Sequence, residues 1–205
     1  VVSLCADAYF AKLPKSVVKR STFRDIIRKD SLVQQKNKFI KRGKNELRAI
    51  RITGNVTGRT AFDKGYCEKV NPDAVYHFIN ETMRPCFYEG KWSYDTCVKH
   101  QIFYSQADYP IKGLHFVLEA LPAILEKYPN TKVIVAGNNI VRGNGLKDII
   151  KLSSYGKYLK SLIRKNGLKD KITFLGKLSA EEMKQKYLES HIFLCASTLE
   201  NSPNS

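Results

Sequence analysis

The regular alternation of apolar runs and amphipathic segments after His100 constrains the fold of this chain more than any other feature. Short apolar runs at residues 101–105, 132–136, 172–175 and 191–196 predict four buried strands. The segments between them carry apolar residues at helical spacing. Strands that alternate with helices pair in parallel through right-handed crossovers, so we expect a parallel α/β sheet with flanking helices.

The predicted crossover helices have clear sequence boundaries. Ser179 and Glu182 have the spacing of a capping box, and Gly167 stands where a helix C-terminus is expected. The helix after the first strand has apolar residues on one face, namely Leu114, Val117, Leu118, Leu121, Ile124 and Leu125. This face is expected to pack on the sheet.

The first half of the chain lacks this alternation of strands and helices, so we place a domain boundary at residue 100. Residues 1–99 are expected to form the end of one domain and an interdomain linker, and residues 100–205 a Rossmann-like domain. Residues 80–99 have no clear period and predict an ordered linker that packs on its neighbours.

Within the first half, residues 31–50 predict a charged helix that is interrupted near Gly43. Residues 52–60 predict a strand and a turn, residues 62–69 a short helix, and residues 74–79 another strand. The first domain is therefore represented by a helix-rich remnant.

Positive charge is concentrated near the start of the chain. The net charge is +16, and residues 11–51 hold fourteen Lys or Arg against three acidic residues. Such a block could contact nucleic acid, an anionic membrane or phosphorylated substrates. The alternative is a solvated helix face with cations opposite apolar residues, with Arg20, Arg24 and Arg28 against Phe23, Ile26 and Ile27. We favour this alternative for the fold, and the same face could still contact anionic lipid.

Cysteine and histidine usage argues against a metal site. The five cysteines are odd in number and widely spaced, without a C-x-x-C pair, which predicts reduced thiols in a cytoplasmic protein. The four histidines are scattered. No apolar stretch approaches the length of a membrane span, and the first residues lack the order of a signal peptide. Because Val1 is not a Met, we interpret the chain as a piece of a longer protein.

Ligands of open α/β sheets bind at the carboxyl ends of the strands. The first strand ends at Ser105 and Gln106, and Lys112 and Gly113 follow just before a helix. A lysine beside a helix N-terminus is suited to phosphate. The alternative is a solvent-facing lysine, but the rigid Pro110 and the small Gly113 favour the phosphate site.

Two other strand ends carry candidate ligand groups. Lys177 and Leu178 follow the third strand, where backbone groups could bond a nucleobase edge, although an ordinary turn before Ser179 explains them equally well. The loop containing Gly143 and Gly145 lacks the third glycine of a dinucleotide fingerprint, so we expect a flexible loop.

The fourth predicted strand delivers one carboxylate to this edge, Glu200. The alternative is a solvated or N-capping glutamate. We favour a ligand site because small polar residues follow, whose amides could bind sugar hydroxyls or phosphate oxygens. These residues are Asn201, Ser202, Asn204 and Ser205.

Residues 191–205 resemble the start of the "Glu, seven residues, Glu" motif of glycosyltransferase family 4, the group 1 enzymes with GT-B architecture. The resemblance extends to residues 109–113 and 173–176, and more loosely to residues 57–63 and 76–92. It implies two facing Rossmann-like domains, of which the second is incomplete here and the first is a remnant.

The resemblance also implies a donor site for a nucleotide-sugar substrate such as a UDP- or GDP-sugar, with no cofactor and no metal. Lys112 matches the lysine that neutralises the donor diphosphate, and Glu200 matches the first glutamate of the motif, near the donor sugar. These two are the expected catalytic residues. The expected donor-binding residues are Ser105, Gln106, Gly113, Lys177, Leu178, Asn201, Ser202, Asn204 and Ser205.

Two departures from the family pattern bear on activity. Ser105 and Gln106 stand where the family commonly has Gly-Arg, so one diphosphate cation is missing or comes from elsewhere. The second glutamate would lie beyond Ser205. We therefore expect this chain to be inactive alone.

By resemblance, the full enzyme is a retaining hexosyltransferase acting on a glycan or lipid-linked acceptor. We expect a role in surface polysaccharide biosynthesis, at the cytoplasmic face of a membrane that residues 11–51 could contact. One alternative is a basic nucleic-acid-binding module. The chain lacks the aromatic strand pattern of such proteins, so we expect no nucleic acid. Another is a non-catalytic GT-B-like scaffold.

Overall fold

The computed structural model describes residues 2–141, 143 and 145–200. The first half of the chain is mainly helical and contains one short parallel pair of strands. Its elements are α1 (Val2–Ala8), α2 (Lys15–Val18), α3 (Phe23–Ile27), α4 (Leu32–Ile52), β1 (Asn55–Gly58), α5 (Ala61–Val70) and β2 (Val75–Phe78).

The second half is a four-stranded parallel sheet with helices on both faces. Its elements are β3 (Val98–Ser105), α6 (Leu114–Lys127), β4 (Lys132–Ala136), α7 (Leu146–Ile150), α8 (Ser154–Lys165), β5 (Ile172–Gly176), α9 (Ala180–Glu189) and β6 (Ser190–Phe193). The predicted parallel α/β architecture is confirmed, including the capping box of α9 between Ser179 and Glu182.

The strand order of this sheet, β5-β4-β3-β6, decides where a ligand can bind. The chain moves outward from β3 through β4 to β5 and then crosses back to place β6 on the other side of β3. Connections therefore diverge in opposite directions at β3 and β6. A crevice forms at the carboxyl ends of strands where the order reverses in this way.

The core lies mainly on the face of the sheet covered by α6 and α8. Alternate residues of β3 and β4 point to this face, and the buried side chains there include Ile102, Tyr104, Val133, Val135, Leu118, Leu121 and Leu159. The opposite face buries Phe103, Ile134 and Ala136 against Met183 and Tyr187 of α9. Packing on both faces keeps the strand ends in fixed positions.

The prediction of a buried fourth strand at residues 191–196 is wrong in its burial and its extent. The strand β6 ends at Phe193, and Ile192 and Phe193 are 47% and 38% exposed. The reason is its place at the edge of the sheet, where only β3 pairs with it among the described residues.

The predicted interruption near Gly43 is also wrong. The helix α4 continues through Gly43, which is buried. A glycine inside a helix costs only about 1 kcal/mol. A capping box of Ser31 and Gln34 and packing against α1 support the helix.

Arg20 and Arg28 are exposed, as expected of a solvated cation face. The apolar residues opposite them do not turn inward, because Phe23, Ile26 and Ile27 are also exposed, whereas Asp25 is fully buried. The hydrogen bonds that Asp25 accepts from the start of α8, described below, explain this orientation.

Candidate active site

The carboxyl end of β3 leads into α6 through a 3-10 turn, Pro110–Lys112. Gly113 follows with a φ of 82°, in the left-handed region that favours glycine. A Cβ atom at Gly113 would also overlap the carbonyl oxygen of Ala196, beyond β6. Gly113 therefore allows the segment after β6 to lie directly against the start of α6.

This close approach brings together the two residues predicted to be catalytic. The Nζ atom of Lys112 lies 2.7 Å from Oε2 of Glu200. Their side chains are 26% and 27% exposed, so the ion pair is open to ligands on one side. A cation and a carboxylate thus meet where the strand order reverses.

Backbone and side-chain hydrogen bonds hold the turn that carries Lys112. The amide of Thr198 donates to the carbonyl oxygen of Ile111 over 2.9 Å. On the core side, the hydroxyl of Tyr104 donates to the carbonyl oxygen of Lys112. Burial raises the pKa of the Tyr104 phenol well above its ordinary value, which keeps this hydroxyl protonated. The turn is fixed from both sides.

The first helix borders the same pair. The hydroxyl of Thr198 lies within hydrogen-bond distance of two carbonyl oxygens, that of Ile111 at 3.2 Å and that of Ala8 at 3.3 Å, and it shares its one proton between them. Burial raises the pKa of the Cys5 thiol, and the carboxylate of Glu200 raises it further while Lys112 lowers it. Sequence reasoning missed the parts played by Tyr104 and Thr198, although Thr198 lies in the tail that the sequence singled out.

A cleft of about 590 Å³ opens beside this turn, between the α3–α4 region and the loops after β3 and β4. Tyr109 and Pro110 line it, so the turn bearing Lys112 forms part of one wall. On the same wall, the side-chain amide of Asn138 donates to Oδ2 of Asp108 over 2.5 Å. Pockets of about 300–1,000 Å³ are typical of small-molecule sites.

Ser105 and Gln106 lie where predicted, at the end of β3. Ser105 is half-buried, and Gln106 is exposed with a φ of 61°. The amide of Gln106 donates to the carbonyl oxygen of Ala136, which ties the ends of β3 and β4 together. Both residues therefore lie at the carboxyl end of the sheet.

The residues after β5 stand apart from the ion pair. Lys177 is exposed, and Leu178 packs with the smaller core cluster against Phe103. One strand, β4, lies between β5 and β3 in the sheet. The predicted donor-binding residues Asn201, Ser202, Asn204 and Ser205 lie outside the described residues.

Residues 98–204 match the family model described as "Glycosyl transferases group 1". This segment is just over half of the chain and includes the whole parallel sheet. The chain belongs to the group 1 glycosyl transferases. The matched segment contains both members of the Lys112–Glu200 pair.

Two curated proteins resemble part of this glycosyl transferase. Spore coat protein SA of Bacillus subtilis (strain 168) is 30% identical over 87 residues, which cover 42% of this chain and 21% of that protein. An uncharacterized glycosyltransferase of Methanocaldococcus jannaschii is 27% identical over 89 residues, or 43% of this chain and 19% of that protein. The chain thus matches about a fifth of the length of these relatives.

Solved structures extend the likeness into the first half of the glycosyl transferase chain. Sucrose-phosphate synthase from Thermosynechococcus elongatus superposes with a TM-score of 0.59 at 15% identity, covering 77% of this chain and 38% of that one. TarM superposes with a TM-score of 0.56 at 13% identity, covering 79% and 28%. The pneumococcal O-GlcNAc transferase GtfA, solved with UDP and GlcNAc, gives 0.51 at 13% identity, covering 74% and 27%. These likenesses confirm the predicted GT-B type of fold.

The described residues contain neither a helix that could span a membrane nor a group of side chains that could hold a metal ion. None of their helices has the length and apolar character required to cross a bilayer. They also contain no group of three or more His, Cys, Asp or Glu side chains placed to hold one metal ion. Metal independence stays a prediction.

Proposed function

We propose that this chain carries the donor-binding part of a family 4 hexosyltransferase that uses a nucleotide sugar and retains its anomeric configuration without a metal or cofactor. The observation that carries the proposal is the Lys112–Glu200 pair, at the reversal of strand order in a group 1 glycosyl transferase. The pair stands where a departing diphosphate and the donor sugar would meet.

Positive potential at the start of α6 supports a diphosphate site. Lys112 supplies a full charge, and the N-terminus of the 14-residue α6 adds the partial charge of its dipole. Its N-cap residue, Gly113, has no side chain to cap the free amides of this N-terminus. Stabilising the charge that develops on a leaving diphosphate is the main electrostatic demand of sugar transfer.

The carboxylate of Glu200 has a second role in this proposal. It pairs with Lys112 at the start of α6 and so competes with a diphosphate for the ammonium group. When a diphosphate pairs with Lys112, the carboxylate of Glu200 becomes free to contact the donor sugar.

UDP is the nucleotide that we test first. GtfA was solved with UDP and GlcNAc, and a TarM mutant of S. aureus with UDP and alpha-GlcNAc-glycerol. We propose a glycan or lipid-linked acceptor and a role in surface polysaccharide biosynthesis. We also propose a cytoplasmic location with peripheral membrane contact through residues 11–51.

Calorimetric titration of UDP, GDP and UDP-GlcNAc into the chain tests the donor site. We expect Lys112→Ala to weaken nucleotide binding by about 1–3 kcal/mol, because it removes a charge-assisted contact. Lys127→Ala, at the opposite end of the same helix, is the matched control and should bind as the wild type does. The proposal fails if no nucleotide binds, or if Lys112→Ala leaves the affinity unchanged.

A further inference from the structure

The helix α3 presents its apolar side chains to solvent. Phe23, Ile26 and Ile27 are 60%, 66% and 64% exposed, whereas Asp25 between them is 0% exposed. A helix on a globular protein normally turns its apolar face inward. The outward orientation of these apolar side chains therefore needs a structural cause, and it suggests that the exposed face has a binding partner.

The cause is a buried polar attachment to the residues that begin α8. Oδ2 of Asp25 accepts hydrogen bonds from the backbone amides of Ser154, at 2.9 Å, and Thr22, at 3.1 Å. The hydroxyl of Thr22 donates to the carbonyl oxygen of Leu152 over 2.7 Å. Arg24 lies 3.1 Å from Oδ1 of Asp25. Because its polar side is bound to the protein, α3 turns its apolar side outward.

Exposed cations flank the exposed apolar side chains in the sequence. Residues 11–29 contain seven Lys or Arg and one acidic residue, the buried Asp25. The next acid, Asp30, is bound by Arg24 and Lys38. The exposed cations of this stretch beside α3 are Lys15, Lys19, Arg20, Arg28 and Lys29. The surface is thus both apolar and positive, with no exposed carboxylate in residues 11–29.

We propose that this α3 face (Lys19, Arg20, Phe23, Ile26, Ile27, Arg28 and Lys29) binds the surface of a bilayer that contains anionic lipid. A bilayer interface offers acyl chains to the three apolar groups and phosphates to the cations around them. Charge complementarity favours an anionic bilayer over a neutral apolar protein surface, because a neutral surface would leave the cations unpaired. The inference specifies which surface makes the proposed peripheral contact with the membrane. It rests on the proposed function only for that membrane location.

Sedimentation with vesicles tests the apolar part of the proposal. The probes are vesicles of phosphatidylcholine alone and of equal parts phosphatidylcholine and phosphatidylglycerol. The wild-type chain is expected to bind the second kind, and F23S/I26S/I27S to bind them at least about tenfold more weakly. The matched control V75S/F78S/I79S removes three similarly exposed apolar side chains around β2 and should bind as the wild type does.

A second pair of variants tests the charges. R20E/K29E should weaken binding by about fivefold or more for each cation removed. K165E/K169E changes the net charge equally at exposed positions outside residues 11–51 and should have a much smaller effect. Equal losses in the two variants would overturn the proposal, because they would report only the overall charge.

Two other results would also overturn it. One is a wild-type chain that does not bind the anionic vesicles. The other is self-association, seen by analytical ultracentrifugation of the wild type and lost in F23S/I26S/I27S, which would make the face an interface between copies. UDP affinity, measured on the same variants, should not change, so failure at the membrane is distinct from failure of the donor site.

Discussion

Among the described residues, the Lys112 ammonium group pairs with Glu200 at 2.7 Å. Both side chains are about one-quarter exposed, so water screens part of their attraction. A diphosphate carries more negative charge than one carboxylate and can displace it. In the proposed donor site, binding would therefore exchange the partner of Lys112, from the Glu200 carboxylate to the donor diphosphate.

This exchange predicts that Glu200→Gln binds UDP more tightly. Removing the competing carboxylate should raise the affinity by a factor of about 1.5 to 5, the range of partly exposed ion pairs, roughly 0.2–1 kcal/mol. Calorimetry checks the change, and Glu181→Gln, an exposed glutamate in the first turn of α9, is the control. Weaker UDP binding by Glu200→Gln would instead indicate direct contact between Glu200 and the nucleotide.

At the scale of elements, the site depends on how α6 begins and how the chain leaves β6. Gly113 combines a left-handed φ with a backbone neighbour, the carbonyl oxygen of Ala196. A larger residue would push the tail that carries Glu200 away from the turn that carries Lys112. One glycine thus sets the spacing between the two segments of the site.

We expect Gly113→Ala to lower the free energy of unfolding by about 2–5 kcal/mol. Left-handed strain contributes about 1–2 kcal/mol, and the overlap with Ala196 about 1–3 kcal/mol more. Gly167→Ala is a matched control, because Gly167 also has a positive φ of 64° but nothing within 4 Å of an added Cβ. Urea denaturation of both variants separates the two effects, and equal losses would show that the overlap is relieved without cost.

At the scale of the whole molecule, His115 joins the first half of the chain to the sheet. It is 1% exposed, and its Nε2 donates to the carbonyl oxygen of Ala11 over 2.8 Å. The hydroxyl of Tyr155 donates to Nδ1 over 3.1 Å. Burial lowers the pKa of His115, so the neutral ring that these bonds require is favoured in the folded chain.

This pKa shift predicts that acid weakens the fold. A histidine whose pKa is lower in the folded state binds more protons when unfolded, so its contribution to stability is complete above about pH 6.5. The contribution declines as the pH falls from there toward the folded pKa. Urea denaturation between pH 7 and pH 5 should show this decline in the wild type and in the control His77→Gln. In His115→Gln the histidine-dependent part should disappear.

The sequence predicted the parallel sheet and the position of Lys112 and Glu200 at its carboxyl edge, because these depend on local periodicity and on where strands end. The catalytic roles of the two residues come from the family resemblance and stay a prediction. It did not predict the features that distant partners decide. Asp25 is buried because Ser154, 129 residues away, binds it. The exposure of Ile192 follows from the edge position of β6, which the apolar composition of that strand does not reveal.

The hydrogen bond between Thr198 and Ala8 joins residues 190 positions apart, and the Lys112–Glu200 pair joins residues 88 positions apart. Contacts of such long sequence separation carry a high loop-closure entropy and tend to form late in folding. We therefore expect the pair to assemble only after the sheet and α1 have come together. Nucleotide affinity at the proposed donor site should consequently appear last during refolding, which would make ligand binding a kinetic marker of the completely folded chain.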